Sequence, residues 1–182
     1  MIGIQGVGAS APERVMENAE WQDHVDTSDE WIRSRTGIER RRIAADDQTT
    51  VDLAALAAEQ ALKDADTEVS EIDEIIVTTD TPEIYIPDTA SFLQDRLGAR
   101  EIPAYDLAGS GCAGFLQGID VARSRALTGK RKVLVVGVEL LTRLMNWKDR
   151  STAVLFGDAA GAVVVGEVAE PSGILAASAG TD

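Results

Sequence analysis

The sequence predicts an α/β layered domain with a mixed sheet and the element order βαβαβαββ. Three observations lead there. Val51 to Leu62 places Val51, Ala54, Ala55, Ala58, Ala61 and Leu62 on one helical face, with Asp52, Glu59 and Lys63 largely off it. Val133 to Val138 is a short, largely β-branched run that is apolar on both faces, as in a strand covered by helices on each side. Around these two, strand-like and helix-like stretches alternate without low-complexity segments or short internal repeats.

The elements follow in order. Ile2 to Val7 reads as a first strand, closed by Gly8 and Pro12. Thr27-Ser28-Asp29-Glu30 matches a capping box, in which the Thr27 hydroxyl and the Glu30 carboxylate serve unpaired amides at a helix start. The short helix that follows is expected to end at Gly37. After the 51–62 helix come a buried strand at Ile75-Ile76-Val77 and a helix from its cap Asp88 to Gly98. A short strand near Ala104 to Asp106 precedes an apolar helix carrying Phe115, Leu116, Ile119, Ala122, Ala126 and Leu127. The 133–138 strand follows. Ala153 to Phe156 and Ala162 to Val165 then read as a pair of strands with no helix between them.

A chain of 182 residues, with 45% hydrophobic and 26% charged residues, is expected to form one globular domain with a full core. Its single Cys excludes a disulfide framework and an all-Cys zinc site, and fits a reducing cytoplasm. The first ten residues lack a basic leader pattern, and no apolar run approaches the length that spans a bilayer. The net charge of −14 argues against a nucleic-acid partner. Charge inverts locally between Trp31 and Ile43, where Arg33, Arg35, Arg40, Arg41 and Arg42 face only Glu39. Such a stretch is either a solvated surface with local ion pairs or a docking patch for a phosphate or carboxylate.

Two motif candidates fail. Gly6-Val7-Gly8-Ala9-Ser10-Ala11 fits a dinucleotide fingerprint, but Pro12 follows at once with no helical period behind it. His24 is the chain's one His and stands among acids without a ligand cluster, so no metal is expected.

The informative segment is Ala108-Gly109-Ser110-Gly111-Cys112-Ala113-Gly114-Phe115. The only Cys sits in a small-residue turn that opens a helix, where unpaired amides and positive potential favour a nucleophilic sulfur. The glycines let a substrate carbonyl approach closely. Taken alone, these residues leave two readings of Cys112, an inert buried thiol or a nucleophile.

Asp26-Thr27-Ser28-Asp29-Glu30-Trp31-Ile32, then Arg35-Thr36-Gly37-Ile38 and Arg42, closely resemble the β-ketoacyl-acyl-carrier-protein synthase III family. So do Gly111-Cys112-Ala113-Gly114-Phe115, Val135-Val136-Gly137 and Phe156-Gly157-Asp158-Ala159-Ala160-Gly161-Ala162. The resemblance runs from about Ile2 to Ala176 with the blocks in family order. It implies that residues 1–182 form the N-terminal βαβαβαββ half of a layered thiolase-type fold, whose C-terminal half is absent from this chain. It implies an acyltransferase in which Cys112 takes an acyl group from coenzyme A for decarboxylative condensation with malonyl-acyl-carrier-protein. The Cys112 amide would be one oxyanion donor.

By the same resemblance, Trp31 and Arg150 sandwich the adenine of coenzyme A, and Thr27 and Arg35 lie near its nucleotide and phosphates. Phe156 lies near the catalytic channel. Each has a structural alternative: a core aromatic for Trp31, a surface cation for Arg150, a helix cap for Thr27, core packing for Phe156. The loop Glu83-Ile84-Tyr85-Ile86-Pro87 matches one that reaches across the family's dimer to close the partner's acyl pocket. Ile86 stands where an aromatic belongs in the acetyl-specific form, which implies a pocket open to longer or branched primers. Acyl-coenzyme A is then a substrate and no cofactor is implied.

Family members also use a His and an Asn in their C-terminal half, and neither has a match here. His24 lies too early, and Asn146 lies in no matching motif. The expectation is a second polypeptide carrying those residues, in a homo- or hetero-oligomer. The alternatives are a non-catalytic partner subunit of an active paralogue, or acyl transfer to an alcohol or amine. In isolation, the Cys112 helix and the 133–138 strand are expected to leave a large apolar face exposed.

Overall fold

The computed structural model describes residues 1–109 and 111–180. Its main sheet has five strands in the order β1-β7-β6-β4-β5. These are β1 (Ile2–Ser10), β4 (Glu74–Thr78), β5 (Ala104–Leu107), β6 (Lys132–Leu140) and β7 (Asp158–Glu167). The β4–β5 and β4–β6 pairs are parallel, and the β6–β7 and β1–β7 pairs are antiparallel, so the sheet is mixed as expected. Three helices connect or cover them: α2 (Thr50–Asp64), α3 (Thr89–Leu97) and α4 (Gly114–Leu127). In chain order the main sheet and its helices read βαβαβαββ.

Period-2 alternation divides the central strands between two cores. Ile75, Val77, Leu134, Val136 and Val138 face α2 and α3, whereas Ile76, Val133 and Val135 face α4. Residues 133–138 are therefore covered on both sides, and the apolar exposure expected of that strand is absent. The exposure of α4 is real: it buries Gly114, Gly118 and Ala122, while Leu116 is 70% exposed and Leu127 63%. Glu74, fully buried, anchors α4 through Arg125, whose Nε lies 2.9 Å from both carboxylate oxygens, and accepts the Tyr105 hydroxyl at 2.8 Å. Burial, then the Glu74 carboxylate, push the Tyr105 phenol up to about 12.

On the other side α2 lies close against the edge strand β1. A Cβ at Gly8 would stand 2.1 Å from the Ala57 carbonyl oxygen. Two outward amides of β1, those of Val7 and Ala9, are taken by Asp64 and Gln60 of α2 at 2.9 and 2.7 Å. These bonds close a sheet edge that would otherwise invite pairing.

A smaller layer was not legible in the sequence. β2 (Arg14–Glu17) and β3 (Arg40–Ile43) pair antiparallel, with α1 (Asp29–Thr36) between them in the chain. They enclose a separate core of Met16, Trp21, Ile32, Ile43, Ala153 and Val154.

Several local expectations need correction. Ser28, not Thr27, caps α1 by accepting the Trp31 amide at 3.1 Å, because Ser28 holds the extended cap conformation. α1 does end at Gly37, which adopts left-handed φ. Asp88 gives α3 no side-chain cap; the Asp106 carboxylate from β5 accepts the Thr89 and Ala90 amides, each at 2.8 Å. β1 runs three residues past Val7, since Gly8, Ala9 and Ser10 still pair with β7. Residues Ala153–Leu155 form a 3-10 turn rather than a strand, so the closing pair of strands is β6 and β7. Ala153 and Val154 fill the small core instead of a sheet face, while Leu155 stays exposed.

Candidate active site

The chain ends its parallel strands at one edge of the sheet, where ligands collect in α/β folds. β5 leads through Ala108 and Gly109 to a 3-10 turn at Gly111–Ala113, which runs into α4. Ser110 lies outside the described residues. Cys112 in that turn is exposed and free. It opens onto a cleft of about 250 Å³ lined by Thr79, Asp80, Phe115, Val138, Glu139 and Gly161 among others. The residues come from the carboxyl ends of β4, β5 and β6 and the start of β7.

Close packing brings the turn there. A Cβ at Gly118 of α4 would meet Thr78 Cγ2 and Val135 Cγ1 at 2.9 Å, so only glycine lets the helix sit this near the strands. The carboxylate of Asp80 accepts the Gly109 and Gly111 amides at 2.5 and 3.0 Å. Glu139 in turn accepts the Asp80 amide and the Thr81 hydroxyl, both at 2.8 Å. Burial holds the Glu139 carboxyl above the usual carboxylate range. Sequence reasoning missed Asp80 and Glu139. The available signal was their position at or just past the ends of parallel strands, which marks site residues in such folds.

A second cluster forms on the small layer. The guanidinium carbons of Arg35 and Arg150 lie 4.4 and 4.6 Å from the centroid of the Trp31 ring. Arg150 also donates to the Asp26 carbonyl at 2.8 Å. Next to Asp26 in the chain, the Thr27 hydroxyl is shielded from solvent without a hydrogen-bond partner among the described residues. Trp31, Arg35 and Arg150 are thus brought together, with Thr27 alongside in sequence. Of the rest of the basic stretch only Arg41 turns inward, while Arg33, Arg40 and Arg42 stay exposed. Arg41 is buried and donates to Asn18 and the Val154 carbonyl, and burial lowers its pKa. Arg42 donates to the carbonyls of Pro12 and Glu13, and Arg33 pairs with Glu39 at 2.8 Å.

The remaining site residues of the sequence reading lie apart from the cleft. Phe156 is half-buried and does not line it. Ile86 is 87% exposed on the loop before α3. His24 packs against Trp21 and Trp147 at centroid distances of 5.7 and 4.9 Å. Among the described residues no acid, His and Cys cluster could hold a metal, and no helix is long and apolar enough to cross a membrane.

The family of 3-oxoacyl-[acyl-carrier-protein] synthase III matches residues 105–182. The β-ketoacyl-[acyl-carrier-protein] synthase III of Bacillus pumilus is 50% identical over 181 residues, 99% of this chain and 58% of the relative. Among solved structures, 3-oxoacyl-[acyl-carrier-protein] synthase III from Aquifex aeolicus aligns with a TM-score of 0.89 at 43% identity, covering 92% of this chain and 54% of that one. The priming β-ketosynthase of the R1128 polyketide biosynthetic pathway aligns with a TM-score of 0.89 at 37% identity, covering 92% and 50%. The chain therefore spans little more than half the length of the proteins it matches. Along nearly all of its length, in sequence and in fold, the chain is similar to the β-ketoacyl-[acyl-carrier-protein] synthases III.

Proposed function

We propose that this chain carries the acyl-accepting part of a 3-oxoacyl-acyl-carrier-protein synthase III. Cys112 attacks the thioester carbonyl of acyl-coenzyme A, forming an Sγ–C bond while the carbonyl oxygen becomes an oxyanion held by the Cys112 amide. The oxyanion collapses, the bond to the coenzyme A sulfur breaks, and that thiolate takes up the proton the Cys112 thiol released. Loss of CO₂ from malonyl-acyl-carrier-protein then supplies a carbanion that displaces the Cys112 thiolate from the acyl carbon. One observation carries this reading: in a chain similar to β-ketoacyl-acyl-carrier-protein synthases, the only thiol is exposed in the cleft where the parallel strands end.

The nucleotide end of coenzyme A falls to Trp31, Arg35 and Arg150, with the unpartnered Thr27 hydroxyl as a polar contact. Support comes from two cations stacked on one indole in a chain that is otherwise strongly acidic. The donor-activating His and Asn must come from beyond the described residues, since His24 is engaged with two Trp rings. We place them in a further α/β layer, on the same protein or a second polypeptide, covering the face of α4 that bears Leu116 and Leu127. The length of the relatives left unmatched is enough for such a layer.

Intact-mass measurement after incubation with acyl-coenzyme A tests the proposal. The protein should gain one acyl group, and Cys112→Ala should gain none while remaining folded. Labelling that survives the substitution would overturn Cys112 as the nucleophile.

A further inference from the structure

We infer that Asp80 is the positioning residue of the Cys112 turn, its carboxylate setting the backbone from which the thiol and its amide face the cleft. The inference rests on the reading of Cys112 as the acyl acceptor. Gly109 and Gly111 both hold left-handed φ, 80° and 50°. Among the described residues, chain neighbours aside, nothing lies within 4 Å of the place a Cβ would occupy at either glycine, so no packed neighbour imposes these conformations. Their amides instead converge on the two oxygens of Asp80. A carboxylate that accepts two backbone amides makes charge-assisted bonds, short and directional. It fixes the direction of the chain on entry to residues 111–113, where the nucleophile sits.

Asp80 is itself braced. Its amide donates to Glu139 Oε1, and Glu139 Oε2 accepts the Thr81 hydroxyl, whose oxygen accepts the Leu140 amide at 2.9 Å. The ends of β4 and β6 are tied together, and the nucleophile turn hangs from that tie. An oxyanion donor must stand within a few tenths of an ångström of its place, and displacements near 1 Å cost about 10²-fold in rate. Alkylation of a thiol by iodoacetamide makes no oxyanion and lacks that demand.

The test compares the two reactions on the purified protein, with wild type and Cys112→Ala alongside Asp80→Ala and Asp80→Asn. Asp80→Ala should slow acylation by acyl-coenzyme A at least tenfold while iodoacetamide alkylation of Cys112 stays within threefold. Asp80→Asn, which keeps one acceptor oxygen, should fall between and decides the matter alone if the Ala variant does not fold. Acylation at the wild-type rate in a folded variant, or equal losses in both reactions, would overturn the role of Asp80. A wild-type protein that takes no acyl group on Cys112 would instead overturn the underlying reading, and this inference with it.

Discussion

Arg150 stacks directly on Trp31, its guanidinium carbon 4.6 Å from the ring centroid. A base sandwiched between the two would need roughly 7 Å, two stacking separations. The pair therefore stands closed, and adenine binding would require Arg150 to leave both the indole and the Asp26 carbonyl.

The first prediction follows from that contact. Trp31→Ala and Arg150→Ala should each weaken coenzyme A binding by about 1–2 kcal/mol, the range of a desolvated cation–π or stacking contact. Reaction with a truncated pantetheine thioester should barely change. Titration calorimetry with both ligands checks this, and equal losses for both would assign Trp31 to core packing alone.

Primer choice gives the second. Ile86 lies with Tyr85 on a strongly exposed apolar loop, the surface expected of a segment that inserts into another subunit. Competition between acetyl- and longer or branched acyl-coenzyme A should favour the longer primers, and Ile86→Phe should shift preference toward acetyl. Strict use of acetyl by the unaltered protein would refute an open pocket.

The third concerns the anchor of α4. Arg125→Ala would leave Glu74 buried with only the Tyr105 hydroxyl, whereas the pair is intact in the native fold. Stranding one partner of a fully buried ion pair costs about 3–5 kcal/mol, and the 43% exposure of Arg125 reduces that here. Urea unfolding should show a loss near the lower end, since Tyr105 still donates. A change below about 1 kcal/mol would show that α4 is held by packing alone.

The fourth concerns pH. Burial raises the Glu139 pKa above its ordinary 4.5, so its protonated form is favoured by folding. Its contribution to stability is complete below pH 4.5 and is lost as pH rises through the raised value. Asp52 and Asp73 act with the opposite sign. Their carboxyls are held low, Asp52 chiefly by hydrogen bonds from Thr49; for Asp73 burial, the largest single effect, pushes up, but the Arg131 and Lys132 amides and Arg100 together outweigh it. Measured by urea unfolding from pH 4 upward, about the Glu reference value, the stability of Glu139→Gln relative to wild type should improve as pH rises. A difference that does not change with pH would contradict this.

The fifth tests the open face of α4. Leu116→Asp should leave the unfolding of this chain nearly unchanged, because that side chain is 70% exposed. It should abolish association with the layer proposed to cover α4, as followed by light scattering. Association that persists would move the interface elsewhere.

Much of the fold was legible because the sequence itself determined it. The helical period of 51–62, the apolar run 133–138 and the glycine at 37 each encode local geometry through side-chain spacing and backbone freedom. The Cys112 turn was legible for the same reason, since small residues around one thiol at a helix start form a local pattern. Only tertiary structure decided the rest. Residues 153–155 carry strand-like side chains yet turn in 3-10 geometry, because the core of Trp21 and Ile32 takes Ala153 and Val154. Asp106 caps α3 from 17 residues away, and Asp80 reaches Gly109 across 29. Hydrogen bonds of that span leave no periodicity in the chain, since they depend on which strand ends the sheet brings side by side.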